Sequence, residues 1–271
     1  MAAPVIGQAS YIERLFAPKA EPWTRWETHD PDSDRQIDHS RWNDFLGKYT
    51  HLHDDGIARV AYGTVSQVDR ASLKDYLDAL ASTTISRYSR AEQFAYWVNL
   101  YNAQTIAIIL DHYPVNSIRD IDISPGLLAD GPWARQIIEV EGEPISLNDI
   151  EHRILRPIWS DPRIHYAVNC ASIGCPNLQL VAYTAENSEQ LLDAGARAYI
   201  NHPRGVRVSN GAITASKIYS WFIRDFDSDG GVLPHLQRYA EPVLRASLAS
   251  LKKIKRYAYD WRLNEHTSDV D

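Results

Sequence analysis

Sulfur is scarce in this chain: its 271 residues include one methionine and two cysteines. Two cysteines cannot frame a disulfide-stapled mini-protein, and a chain of this length does not need one, because it buries enough apolar surface to hold itself together. With one Met, the core must be filled by stiffer groups, and eight Trp, fifteen Tyr and five Phe are available. No apolar run is long enough to read as a bilayer-spanning helix. Positive charge is also in deficit, with 28 Lys and Arg against 35 Asp and Glu and a formal net charge of −7. That balance argues against nucleic acid or an anionic membrane as the main partner, since both are held by concentrated cations. The one basic cluster, Lys252-Lys253-Ile254-Lys255-Arg256, reads as a solvated element end. A metal is not expected, because the Cys-x4-Cys spacing has no second Cys pair or His-x3-His beside it, and no motif asks for another cofactor.

Hydrophobic residues at 44 % and charged residues at 23 % mark an ordinary globular chain. Residues 1–50 are irregular and rich in Trp, Pro and Asp, with a short helix over 37–49, and are expected to wrap as an arm on a main domain, 51–271. Ala2-Ala3-Pro4 resembles the start of a mature exported protein whose leader Met1 replaces; the location is then periplasmic or secreted, and otherwise cytoplasmic. A strand is expected over 56–63 and a helix over 69–81, with Leu73, Tyr76, Leu77 and Leu80 on one stripe. Ser89, with Glu92 three residues on, reads as a capping box opening a helix that ends near His112, before Pro114. Phe94, Trp97, Val98, Tyr101, Thr105, Ile108 and Ile109 make this the central buried helix. Its Asn99 and Asn102 need partners, as ties to neighbouring loops or as substrate contacts. Hairpins are predicted at Glu141-Gly142 and Asn210-Gly211. Helices are predicted over 147–156, capped by Ser146 and stopped by Pro157, and over 187–201, 216–226 and 233–253. Strands are predicted over 164–169 and, as the last element, 257–263. The expected class is α+β: a single helix-rich domain with a small, mostly antiparallel sheet.

The two cysteines lie in Arg163-Ile-His-Tyr-Ala-Val-Asn-Cys-Ala-Ser-Ile-Gly-Cys-Pro-Asn-Leu178. Strand alternation puts Cys170 on the apolar face with Ile164, Tyr166 and Val168, where a thiol is inert. Cys175, between Gly174 and Pro176, sits where turn N–H groups converge and favour a thiolate, so it is the expected nucleophile and Cys170 a structural or resolving partner. The bland alternative is two small core residues. His152 is the expected base and His165 a second candidate, each also readable as a packed histidine. Glu151 points roughly 100° away from His152 on a helix, so it is expected to support the site indirectly or to pair with Arg163. Asn169, Asn102, Asn99 and Arg163 are the candidate substrate or oxyanion contacts. Asp225-Phe-Asp227-Ser-Asp229-Gly230 opens like a calcium loop, but its twelfth position is Leu236, so a solvated acidic turn is expected.

Phe94-Ala-Tyr-Trp-Val-Asn-Leu-Tyr-Asn-Ala103, Ser146-Leu-Asn-Asp-Ile-Glu-His152 with Ile154-Leu-Arg156, and Asp161-Pro-Arg-Ile-His-Tyr-Ala-Val-Asn-Cys170 leading to Gly174-Cys-Pro176 together resemble the DUF547 family, a domain of unknown function. Tyr259-Asp-Trp261 with Leu263-Asn264 resembles that family's ending, so the resemblance spans roughly Ser89 to Asn264. It implies that the His152 and Cys170/Cys175 segments form one site, and it favours export, since bacterial members often follow an export signal. A papain-like or transglutaminase-like arrangement, with Cys and His in permuted order, is a fold-level analogy. The expected function is thiol-dependent acyl transfer, as a peptidase, amidase or transamidase acting on a small peptide or a thiol such as glutathione. The alternatives are a non-catalytic small-molecule or peptide binding module using the same cleft and a Cys170/Cys175 redox sensor.

Overall fold

The computed structural model describes residues 19–125 and 131–267, so the Ala2-Ala3-Pro4 start lies outside the described residues. From residue 19 the arm is irregular except for a 3-10 turn at Thr24–Glu27, and it then forms helix α1, Ser40–Tyr49. Trp26, Trp42, Phe45 and Leu46 are buried in the same apolar cluster as the central helix. At roughly 2 kcal/mol for each such side chain, they contribute on the order of 8 kcal/mol before ordering costs. The described part of the arm is therefore integral to the core.

A short antiparallel pair follows, β1 Thr50–Leu52 and β2 Ala58–Val60, with Thr50 opposite Val60. Helix α2, Gln67–Ala81, is capped by the Ser66 hydroxyl, and the predicted stripe of Leu73, Tyr76, Leu77 and Leu80 is buried. Helix α3, Arg90–His112, is the central element, apolar and buried on nearly all sides. The Ser89 hydroxyl accepts the Glu92 N–H, but the predicted capping box is only half made. The Glu92 carboxylate accepts the Ile37 N–H instead, tying the arm to the start of α3.

Strands β3 Gln136–Val140 and β4 Glu143–Ser146 form the first predicted hairpin; β5 Val206–Ser209 and β6 Ala212–Ser216 form the second. Both turns take two left-handed residues, Glu141-Gly142 at φ 49° and 81° and Asn210-Gly211 at φ 51° and 67°, as a type I′ turn demands.

The segment carrying His152 departs from expectation. Ser146 does cap it, exchanging hydrogen bonds with Asp149, but Pro157 does not stop it. Residues Asp149–Leu155 form a π-helical stretch that runs through Pro157 into α4, Arg156–Trp159. The Arg156 N–H reaches the Glu151 carbonyl, five residues back. The next donor in either the π or the α pattern would be residue 157, which as proline has none. The carbonyls of His152 and Arg153 instead accept the arm's Glu21 and Trp23 N–H groups at 3.1 and 3.0 Å. The missing donor thus creates the arm's docking site, and Arg153 stacks over Trp23 at 4.3 Å.

The predicted strand over 164–169 is a 3-10 turn, Pro162–Tyr166, followed by a loop. Asp161 caps the turn and Pro162 favours its first position, which local alternation of apolar residues did not register. Helix α5, Ser188–Ile200, then leads to β5 and β6. Helix α6, Ile218–Trp221, a 3-10 turn at Ile223–Asp229, α7 Val232–Tyr239 and α8 Pro242–Leu251 complete the helices. The last strand, β7 Ile254–Ala258, begins three residues earlier than expected and pairs parallel to β6, with Ala215 opposite Tyr257. The β structure is divided among three small sheets, two antiparallel and one mixed. The chain is the α+β, helix-rich fold that its pattern predicts. Among the described residues no helix is long and apolar enough to cross a membrane.

Two apolar clusters fill the interior, one around α3 and one among α5, β5–β7 and α6–α8. Ile164, Ala167, Val168 and Ala171 belong to the first and Tyr166 to the second. The cysteine segment therefore runs along the seam between them.

Candidate functional site

Buried amides hold the cysteine loop in place. Asn102 donates to the Ala167 carbonyl at 2.9 Å and accepts the Asn169 N–H at 2.8 Å. Asn169 donates to the Pro176 carbonyl and accepts the Ala171 N–H, spanning the loop from end to end. Asn99 clamps both backbone groups of Tyr183. In all three the amide oxygen and nitrogen each bond to backbone, so they act as ties to neighbouring loops.

The loop is strained where the ties are densest. Ala171 adopts φ 57°, a left-handed conformation without glycine, which costs about 1–2 kcal/mol. The Ala171 carbonyl accepts the Asn264 N–H, and the Ile173 and Gly174 N–H groups donate to the Arg262 and Asp260 carbonyls. Only glycine fits at 174, because a Cβ there would lie 2.7 Å from the Asp260 nitrogen. The convergence of free N–H groups on Cys175 is not found. Among the described residues the Ser172 N–H alone in this loop lacks a partner, while the Cys175 N–H bonds to the Ser172 carbonyl.

The structure reverses the expected ranking of the two sulfurs. Cys175 is 4 % exposed, and burial, reinforced by its hydrogen bond and repulsion with Cys170, pushes its thiol far up. Cys170 is half-buried, since residues 164–169 are not a strand and do not carry it into the core. Its thiol is lowered chiefly by the hydrogen bond from Cys175; burial opposes this, and Ser172 and Tyr259 assist. Cys170 Sγ lies 3.3 Å from Ser172 Oγ and 3.1 Å from the Tyr259 hydroxyl. Both cysteines are free.

A second polar cluster is built around Glu151 and His152 of the π-helix. Glu151 Oε1 is 3.8 Å from Nδ1 of both His152 and His165. Asp225, treated at first as part of a solvated turn, takes His165 Nε2 at 2.7 Å and grips Arg156 through two hydrogen bonds of 2.6 and 3.0 Å. Burial works against its charge, but those partners hold its carboxyl well below the usual range. Arg156 also donates to His152 Nδ1 at 2.9 Å, which leaves the ring proton on Nε2. Burial lowers His152 to about 4; Glu151 opposes this, and Arg156 and His165 add to the lowering. The pairing of Glu151 with Arg163 is not formed. Arg163 binds Asp161, Asp193 and Glu189 instead, so it is an ion-pair hub away from the sulfurs.

Among the described residues no hydrogen bond joins an imidazole to either sulfur, but several groups connect the two halves. Glu151 opposes ionisation of the Cys170 thiol through its charge. Tyr101 is raised first by burial, then by the Glu151 charge and those of both sulfurs. At the end of α6, Trp221 packs on Tyr259 beside the thiol, and the next residue, Phe222, stacks on His165 at 4.3 Å. Sequence reasoning passed over Tyr259, Tyr101, Ser172, Arg156 and Asp225. All stood inside segments already singled out: Tyr101, Arg156 and Tyr259 in the motifs, Ser172 in the cysteine stretch and Asp225 in the calcium-like pattern.

No curated protein and no solved structure matches this chain. A family comparison does, over the stretch that holds α3, Glu151, His152 and both cysteines, whereas the tail with Tyr259 and Asn264 lies beyond it. Over residues 85–200 the chain matches the model of the family described as "Protein of unknown function, DUF547".

Proposed function

We propose that the protein is a thiol-dependent acyl-transfer enzyme, a peptidase, amidase or transamidase, with Cys170 rather than Cys175 as nucleophile. One observation carries the reading: the thiol of half-buried Cys170 lies 3.3 Å from Ser172 Oγ and 3.1 Å from the Tyr259 hydroxyl and feels the charge of Glu151, which itself stands 3.8 Å from Nδ1 of both His152 and His165. Ionised Cys170 attacks the substrate carbonyl carbon, the C–S bond forms and the carbonyl electron pair moves to oxygen. The Ser172 N–H and the His152 Nε2–H are the donors proposed for that oxyanion. Collapse expels the amine, which takes the thiol's proton from the Glu151–His152–His165 group. Water or a second amine then attacks the thioester, gives its proton to the same group and releases the Cys170 thiolate. Asp225 orients His165, and Arg156 fixes the tautomer of His152. The substrate class is a small peptide or a thiol such as glutathione.

The test is hydrolysis of small peptide and thioester substrates by Cys170→Ser and Cys175→Ser. The first substitution abolishes turnover and the second retains it; the opposite result returns the nucleophile to Cys175, and iodoacetamide-insensitive turnover ends the proposal. A second reading, a dithiol that cycles with a disulfide, is favoured by the close approach of the two residues, the Cys170 N–H lying 3.1 Å from Cys175 Sγ.

A further inference from the structure

Four aromatic side chains form a chain of ring contacts that reaches the thiol through Tyr259, and none of them is sealed. Tyr259, whose hydroxyl is 3.1 Å from Cys170 Sγ, packs against Trp221 at 5.0 Å and Trp261 at 4.7 Å between ring centroids. Trp261 meets Trp221 at 5.7 Å and Trp133 at 5.8 Å, and Arg119 covers one side of its ring at 5.3 Å. These residues come from three separate parts of the chain. All four are half-buried, whereas Trp26, Trp42 and Trp97 are at most 2 % exposed. A fold that seals those indoles has gathered three others, still partly in water, around the tyrosine that touches the thiol. Accessible rings so placed gain most when another apolar ring displaces that water.

The charge of the Glu151 carboxylate also reaches the sulfur. A substrate with a carboxylate near the scissile carbonyl meets repulsion there. We infer that Trp133, Trp221, Tyr259 and Trp261 form an acyl-side subsite for an aromatic side chain next to the scissile carbonyl. The inference rests on the proposed chemistry at Cys170. It selects a small peptide with an aromatic acyl residue over glutathione, whose acyl residue is acidic.

The experiment compares alkylation by N-acetyl-phenylalanyl, N-acetyl-glycyl and N-acetyl-aspartyl chloromethyl ketones. In each the thiolate displaces chloride from the methylene carbon. Each second-order rate is divided by the iodoacetamide rate of the same protein. The phenylalanyl reagent is expected to exceed the glycyl one by about tenfold or more, and the aspartyl reagent to be slowest. In Trp261→Leu and Trp221→Leu the phenylalanyl advantage collapses towards unity. Wild-type protein supplies a measurement independent of how either variant folds: N-acetyl-phenylalaninamide should slow iodoacetamide alkylation, and N-acetyl-aspartamide should not. Equal normalised rates for the three ketones, or no such protection, overturn the subsite. A Cys170 that resists iodoacetamide altogether overturns the proposed chemistry instead.

Discussion

The backbone N–H of Cys170 donates to Sγ of Cys175 at 3.1 Å. The second sulfur therefore acts on the first twice, through its thiol and as an anchor for its backbone. The largest cause lowering the Cys170 thiol is the hydrogen bond from Cys175. Removing that donor by Cys175→Ala destabilises the thiolate, so the alkylation midpoint of Cys170 moves up. Tyr259→Phe removes a lesser cause and moves it in the same direction by less. Iodoacetamide rates across pH 5–10 check both; an unchanged midpoint in Cys175→Ala would show that the thiol pair has no influence on ionisation.

The same proximity makes a redox prediction. Hydrogen peroxide oxidises the Cys170 thiolate to a sulfenic acid with loss of hydroxide, and the Cys175 thiol then displaces water to close a disulfide. Intact mass is expected to fall by about 2 Da, with recovery on reduction. In Cys175→Ser, oxidation instead adds about 16 Da or continues to higher acids. A wild-type protein that gains oxygen without closing the bridge rules out the dithiol reading.

Stability should fall on mild acidification. His39, buried with Nδ1 2.7 Å from the Tyr76 hydroxyl, is lowered by burial to about 4, as is His152. In the unfolded chain both titrate near their ordinary value of about 6.5, so between the two values the unfolded state holds more protons. Stability is therefore present above about pH 6.5 and lost as pH falls towards 4, by on the order of 3 kcal/mol for each histidine. Urea unfolding from pH 7 to 4.5 checks this, and His39→Asn should remove about half of the slope.

Asn102 supplies a prediction on stability alone. Asn102→Ala leaves the Asn169 N–H and the Ala167 carbonyl without their partner in a buried setting, costing about 3 kcal/mol. The measurement is the urea midpoint at constant m-value. A loss below about 1 kcal/mol would mean that the loop finds other partners.

The contrast between Asn102 and Cys170 shows what the sequence made legible. The length of α3, both hairpins and the need to satisfy its amides follow from local rules: helical spacing, two left-handed turn residues, and polar groups that cannot stay unpaired in a core. The order of the two thiols does not. It depends on whether 164–169 alternates as a strand, and a capped 3-10 turn carries the same apolar residues to different places. Tyr259 and Asp225 were equally out of reach, because they meet Cys170 and His165 only after the tail and the end of α6 return to the seam. The parallel pairing of β7 with β6 is likewise a long-range choice that no nearby turn dictates.

Pro157 is where a local rule failed in a way that bears on chemistry. A proline removes a donor and usually ends a helix; here the helix widens into a π stretch, which often marks functional positions. That stretch sets the directions of Glu151 and His152 and hands two carbonyls to the arm. Pro157→Ala restores an N–H that competes with Glu21 and Trp23 for those carbonyls, favouring an ordinary α-helical register. One residue of register turns a helix face by roughly 100°, enough to swing His152 and Glu151 away from each other and from His165. The expected outcome is a protein of similar or greater thermal stability with at least a tenfold loss of turnover and easier proteolysis of the arm. Full turnover with a released arm would show that the π stretch serves only docking. Full turnover with the arm in place would mean that proline does not set the register at all.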